Sequence, residues 1–287
     1  MSLRENILRD GFVIIPNLLS TEEITKLRHL VAAHMKSDLP ENHNLGKTEN
    51  RAACVMPELG WFFYHPKVLS VMKEIVSADK IMFTNHCDAA SGCLTSWHKD
   101  DGADATGSME GLYFEKFTYD LDDCQVYKMG IYLQDHFHNL SGLRVRRKSH
   151  RLAGHDQGEE VYLQTKTGDV VVFDVRLTHS GQMDVVPVPL INKPLTFCLA
   201  VIRKIFRTRK IEVALKSFYD RIAGDRMSIF FTFGFPNEYT IKFARNNMQI
   251  RLSSNPKLPI YLPDALRQKL IENQVLLAED YFSDLKP

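Results

Sequence analysis

Apolar residues recur at helical spacing through the first 76 positions, and after residue 80 they gather into short alternating runs separated by polar turns. Residues 2–9 predict a short helix ended by Gly11, followed by a strand at Phe12–Ile15 that Pro16 closes. Ser20-Thr21-Glu22-Glu23 has the spacing of a capping box. The row behind it (Ile24, Leu27, Leu30, Val31, Met35) keeps a helical period, as expected of an outer helix packed on a sheet. A second amphipathic helix is expected over residues 66–76. Strand-like runs then follow at 80–85, 93–98, 124–133, 142–145, 160–163, 170–175 and 226–235. Several short strands at this spacing predict a sandwich or double-sheet barrel. Most gaps between them are too short for the crossover helices that a parallel sheet requires. The expected class is therefore mainly β with flanking helices. Two stretches break the pattern: 102–111 is small and polar, as in a loop, and 187–224 is helix-like and basic.

Composition narrows the function classes. The 287 residues are 44% apolar and 25% charged, ordinary values for a globular chain, and 36 basic residues face 35 acidic ones. A nucleic-acid binder would show a basic surplus, so that class is disfavoured. The five cysteines (Cys54, Cys87, Cys93, Cys124, Cys198) form no CxxC pair and are odd in number, which argues against a disulfide framework. They are expected to be small buried apolar residues in a reducing, cytoplasmic compartment. The N-terminus lacks an apolar signal core, and no run reaches membrane-spanning length. Without repeats or a linker, the chain reads as one domain over 1–287.

The chemistry is concentrated at two places. In Trp97-His98-Lys99-Asp100-Asp101-Gly102, side chains two apart on a strand share a face, so His98 and Asp100 can reach one ion while Asp101 points away. Downstream, alternation would put Phe173, Val175, Leu177 and His179 on one face, with His179 just before a Ser-Gly turn at the rim of a cavity. Two histidines and one carboxylate on one face are the facial triad of non-haem iron(II) oxygenases. Structural zinc would want a fourth protein ligand, usually a thiolate, and none is placed for it. An HxD triplet alone is weak evidence, because most histidines are merely hydrogen-bonded. The others here are expected to include no ligand, and His150 is the one expected to matter structurally.

At these residues the chain resembles the phytanoyl-CoA dioxygenase family of Fe(II)/2-oxoglutarate-dependent oxygenases. The resemblance begins at Asp10-Gly11-Phe12-Val13-Ile14-Ile15-Pro16. It continues through Trp97-His98-Lys99-Asp100, Gly130-Ile131-Tyr132-Leu133-Gln134-Asp135, and Ser141-Gly142-Leu143-Arg144-Val145 with Ser149-His150-Arg151, and closes over residues 168–179. It implies a double-stranded β-helix (jelly-roll) core, Fe(II), 2-oxoglutarate and O2 as co-substrates, and hydroxylation of a small molecule. On that resemblance His98, Asp100 and His179 match the iron ligands. The family also needs an arginine for the far carboxylate of 2-oxoglutarate, shortly after the distal histidine. Here 180–194 contains none. Arg203, Arg207, Arg209 and Arg226 are candidates. Arg226 is favoured, because it opens the next strand and lies two residues from Ser228, an Arg-x-Ser pair suited to a carboxylate. Residues 183–225 then form a helical insertion between distal histidine and co-substrate arginine. A second departure is Arg147-Lys148 where the family has Pro-Gly. Asp100 disfavours halogenation, since related halogenases carry a small residue there.

The insertion combines Leu195, Leu199, Ile202 and Phe206 with Arg203, Lys204, Arg207, Arg209 and Lys210. It is expected to pack on the sheet with a solvated basic face, and the competing expectation is a lid or a surface for an acidic or lipid-like partner. Substrate-lining residues are expected from 102–111, from Tyr127 or Lys128, and from the insertion. Two other functions stay open: a non-oxidative jelly-roll metalloenzyme, and a non-catalytic metal-binding jelly-roll protein. The substrate itself is not encoded in any motif.

Overall fold

The structure is a computed structural model, and it describes residues 1–36, 46–93, 95–102, 116–136, 142–181, 226–254 and 257–282. Helix α1 (Leu3–Asp10) starts on a capping box: Glu5 N–H donates to Ser2 Oγ (3.1 Å) and Ser2 N–H donates back to the Glu5 carboxylate (2.7 Å). Gly11, at φ 88°, closes α1 in the left-handed conformation that glycine adopts without strain. Strand β1 (Phe12–Ile15) leads to α2 (Thr21–Met35), which opens on the expected box between Ser20 and Glu23 and buries Ile24, Leu27, Val31 and Met35. After β2 (Lys47–Glu49) come two single-turn helices, α3 (Ala52–Val55) and α4 (Gly60–Phe63), and then α5 (Pro66–Val76), as expected.

Seven further strands build two facing sheets. They are β3 (Ile81–Ser91), β4 (Val126–Tyr132), β5 (Arg144–Arg147), β6 (Glu159–Tyr162), β7 (Val170–Asp174), β8 (His179–Ser180) and β9 (Met227–Gly234). The major sheet runs β1-β7-β4-β9-β3, antiparallel throughout, and the minor sheet runs β6-β5-β8. From β6 to β9 successive strands alternate between the two sheets, as in the winding of a jelly roll. Period-two alternation sorts the side chains. Met227, Ile229, Phe231 and Phe233 of β9, with Val170 and Val172 of β7, face the helices in the main core. Val171, Phe173, Tyr132, Val145 and Phe230 instead fill the space between the sheets. Gly130 is required there, because a Cβ at that position would stand 2.0 Å from the Phe230 ring.

Several expectations need correction. The run at 80–85 continues to Ser91 as one bulged strand, whose register shifts between Phe83 and Cys87. Asn85 sits there at φ 61°, a conformation asparagine tolerates better than most residues. The described residues of the run at 93–98 form no strand, although a β-bridge pairs His98 with His179. The row Phe173-Val175-Leu177-His179 is broken by a turn after Asp174. Val175 therefore packs with Tyr119 and Cys124, away from Phe173 and Leu177. Unforeseen at the C-terminal end are α6 (Glu238–Ser254), α7 (Asp264–Glu272) and β10 (Val275–Leu277), which pairs in parallel with β3. The buried residues of α6 include Thr240, Asn247 and Arg251, so its apolar stripe is weak. Cys54, Cys87, Cys93 and Cys124 are free and buried, as expected, whereas Cys198 lies outside the described residues. The proposed insertion at 183–225 and most of 102–111 also lie outside them. Among the described residues no helix is long and apolar enough to cross a membrane.

The turn that carries β7 into β8 is held by a buried ion pair. Arg176, fully buried, donates to both oxygens of Asp174 (Nε–Oδ1 3.0 Å, Nη2–Oδ2 2.7 Å) and to the carbonyls of Thr118 (2.6 Å) and Leu121 (3.0 Å). Burial opposes the charge of Asp174, but Arg176 more than offsets it and holds the carboxyl below its ordinary range. Removing one partner would strand the other charge in the interior. Arg176→Met should lower the unfolding free energy by about 3–5 kcal/mol in urea titrations, with part of the loss recovered by adding Asp174→Asn. A loss below about 1 kcal/mol, the scale of an exposed pair, would show that the pair does not brace the turn.

Candidate metal centre

His98, Asp100 and His179 converge because segment 95–100 runs alongside 175–181. The backbones are joined by His98 N–H to His179 O (3.0 Å), His179 N–H to His98 O (2.9 Å), Asp100 N–H to Val175 O (2.9 Å) and Gly181 N–H to Thr95 O (3.1 Å). The segment thereby supplies a fourth, irregular edge to the minor sheet beside β8. Side chains alternate along it as expected. Lys99 turns away and donates to Ser149 O (2.7 Å) and Arg176 O, while Asp101, fully buried, accepts from Tyr119 Oη (2.7 Å). His98 and Asp100 point the other way, toward His179.

One ligand atom from each of the three lies within 4.8 Å of the others. Asp100 Oδ2 is 3.4 Å from His179 Nε2, Asp100 Oδ1 is 3.9 Å from His98 Nε2, and the imidazole centroids are 4.2 Å apart. Octahedral ions with bonds of about 2.1 Å hold adjacent ligand atoms about 3 Å apart, so a small closure would seat one. The tautomers are fixed by the chain itself. His98 Nδ1 is 2.7 Å from Ser96 O and His179 Nδ1 is 3.0 Å from Leu177 O. A carbonyl only accepts, so both Nδ1 atoms carry the proton and both Nε2 lone pairs are left for the cluster. Burial, followed by the neighbouring His98, pushes His179 down to about 3, so its ring is neutral at pH 7. Burial opposes the charge of Asp100, yet Lys128 above all holds its carboxyl below the usual range. Asp100 Oδ2 is buried, and among the described residues its near cationic neighbour is Lys128 Nζ at 3.1 Å.

Arg226 and Ser228 lie at the start of β9, where Gly92 N–H bonds Arg226 O (2.7 Å). Arg226 is 7% exposed. Its guanidinium donates to Tyr132 Oη (3.0 Å) and to Cys93 O, with the Tyr132 ring centroid 5.0 Å away. A Cβ on Gly181 would stand 2.7 Å from Arg226 Nη2, which brings this arginine beside the residue two beyond His179. Ser228 is 2% exposed and paired with Ala90 and Tyr132 across its two neighbouring strands. Arg203, Arg207 and Arg209 are outside the described residues.

The pocket expectation for Tyr127 and Lys128 divides. Tyr127 faces the helices, where its hydroxyl donates to Asp123 (2.7 Å), itself paired with Arg4 (2.6 Å). Lys128 faces inward, with Nζ 3.1 Å from Asp100 Oδ2 and 3.6 Å from Asp88 Oδ2, and Asp88 pairs with His86 Nε2 (3.0 Å). Sequence reasoning passed over His86 and Asp88. The available signal was a second H-x-D triplet on a strand, His86-Cys87-Asp88, whose outer residues share a face. His150 is buried, with Nε2 3.3 Å from Leu8 O and its ring against Gly11, a structural position as expected. At the departing turn Lys148 takes φ 67°, the left-handed conformation that the family's glycine would supply.

Comparison with solved structures agrees with this architecture. The α-ketoglutarate-dependent epimerase SnoN of nogalamycin biosynthesis superposes with a TM-score of 0.54 at 12% identity, over 81% of each chain. The α-ketoglutarate-dependent carbocyclase SnoK of the same biosynthesis gives 0.54 at 14% identity, over 81% of this chain and 83% of that one. HygX from Streptomyces hygroscopicus, solved with nickel and 2-oxoglutarate bound, gives 0.52 at 12% identity, over 82% and 86%. At such identities the likeness establishes the fold. No curated protein sequence matches the chain. Residues 7–183, which include all three converging side chains and more than half of the sequence, match the phytanoyl-CoA dioxygenase (PhyH) family, and the chain belongs to that family.

Proposed function

We propose that the protein is an Fe(II)- and 2-oxoglutarate-dependent dioxygenase that hydroxylates a small molecule, with His98, Asp100 and His179 as its metal ligands. The observation that carries the reading is the pair of imidazoles whose Nδ1 protons are held by carbonyls of their own chain, both Nε2 atoms converging on one carboxylate. Such a set offers two neutral nitrogens and one anionic oxygen, a donor mixture suited to Fe(II) that leaves positions open for co-substrates. When bound, Fe(II) with O2 and 2-oxoglutarate supplies the oxidising power, the 2-oxo acid leaving as succinate and CO2. The protein's part is to position and to exclude water. Arg226 and Ser228 are assigned to the distal carboxylate of 2-oxoglutarate, where a guanidinium fork and a hydroxyl match its two oxygens. Phe173, Phe230 and Tyr132 wall the space between the sheets with apolar surface, and the Phe173 ring lies tilted against that of His179 with centroids 4.8 Å apart. The structures of SnoN with nogalamycin RO and of HygX with hygromycin B support a small-molecule substrate.

Anaerobic addition of Fe(II) and 2-oxoglutarate should produce a weak visible charge-transfer band, and O2 should then release succinate. His98→Ala should abolish both. Metal binding with neither band nor succinate, across a panel of metabolites, would favour a non-oxidative metalloenzyme or a metal-binding jelly-roll protein. Arg226→Ala should raise the 2-oxoglutarate concentration needed for half-maximal succinate release by about tenfold to a hundredfold, the scale of losing a hydrogen-bonded charge pair. Arg203→Ala should leave it within about twofold on the same scale. The reverse order would transfer the co-substrate role to the insertion.

A further inference from the structure

Lys128 is an unusual residue for its position. It lies in the middle of β4, a strand flanked on both sides by β7 and β9, in register with Phe173 and Thr232. Its side chain is directed between the sheets and only 7% of the residue is exposed. Nζ stands 3.1 Å from Asp100 Oδ2 and 3.6 Å from Asp88 Oδ2, with the Phe230 ring centroid 5.5 Å away. Set between two carboxylates at these distances, the amine stands as an ammonium. Asp88 is itself anchored, since His86 reaches it through Nε2 (3.0 Å) and Thr232 Oγ1 through Nδ1 (2.7 Å).

The inner chamber therefore holds a fixed positive charge next to the one anionic member of the triad. In the metal-free protein that ammonium is the counter-ion of Asp100. A divalent ion seated on Asp100 must share the carboxylate with it, and in a region of low dielectric the repulsion between them is poorly screened. A dicarboxylate entering beside the ion reverses the balance, because its negative charge is attracted by both cations. Resting on the assignment of the triad as the metal site, we propose that Lys128 couples the two binding events: it weakens binding of the metal ion alone and strengthens binding of the ion together with 2-oxoglutarate. By linkage the ion must strengthen 2-oxoglutarate binding by the same factor. The consequence would be a site that holds its metal firmly only when co-substrate is at hand.

The test is Mn(II) titration by calorimetry, with and without saturating 2-oxoglutarate, on the wild type, Lys128→Met and Lys128→Arg. Lys128→Met should bind Mn(II) alone about tenfold more tightly than wild type, and should gain about tenfold less from added 2-oxoglutarate, within the usual range of coupling between sites. Lys128→Arg keeps the charge and should keep the coupling. Asp88→Asn provides an independent reading if Lys128→Met does not fold. It leaves Lys128 less compensated, so Mn(II) alone should bind more weakly and the gain from 2-oxoglutarate should grow. Weaker Mn(II) binding in Lys128→Met would overturn the proposal and make Lys128 a support that orients Asp100. Unchanged coupling in both Lys128→Met and Asp88→Asn would overturn it as well, while leaving the metal site intact. If the wild type bound no Mn(II) under either condition, the triad assignment would fail together with this inference.

Discussion

The reciprocal backbone pair between His98 and His179 is the constraint on which the rest of the site depends. The two histidines are separated by most of the barrel in sequence, and the β-bridge brings them together without help from either ring. Once that bridge forms, Asp100 N–H reaches Val175 O and the alternation of an extended chain sends His98 and Asp100 to the same side. Lys99 and Asp101 then fall on the far side, where Ser149 O, Arg176 O and Tyr119 Oη receive them. The carbonyls that fix the imidazoles belong to Ser96 and Leu177, each two residues before its histidine. The orientation of each ring thus follows from the local backbone, and the backbone follows from one pairing between distant segments.

Much of this was legible because the governing periods are short. The capping box at Ser20, the helix over Pro66–Val76 and the β1 strand were all marked by residue types whose physics is local. That His98 and Asp100 share a face was legible for the same reason, since H-x-D needs only two residues of extended chain. What escaped depends on partners remote in sequence. Asn85 ends a predicted strand in appearance, yet it is a bulge inside β3, which only pairing with β9 reveals. Val175 joined the wrong row because the Asp174–Arg176 pair turns the chain after Asp174. Helix α6 buries Thr240, Asn247 and Arg251, polar residues whose interior role no apolar stripe announces. Tyr127 and Lys128 looked interchangeable as pocket residues, and their opposite fates follow from which face of β4 meets the helices.

The space between the sheets is correspondingly heterogeneous. Near β1 and β7 it is an apolar filling of Val171, Phe173 and Phe230, while at the other end His86, Asp88, Lys128 and Asp100 form a connected line of charge. Burying such groups is costly unless each has a partner. Here every member touches the next, so the line can be kept in the interior at all. The family tie accounts for the architecture around this line, and the chain's own residues account for its polarity.

Gly181 and Arg226 are neighbours in space although residues 182–225 separate them in sequence. Residues 181 and 226 thus stand at nearly the same point of the barrel. Closing a long loop costs only logarithmically more than closing a short one, so segments of very different length could be accommodated between these two posts. The posts themselves stand beside His179 and at the head of β9. The interval between residues 181 and 226 could therefore change in length and composition while the barrel kept its register, which makes it a natural place for members of the family to diverge.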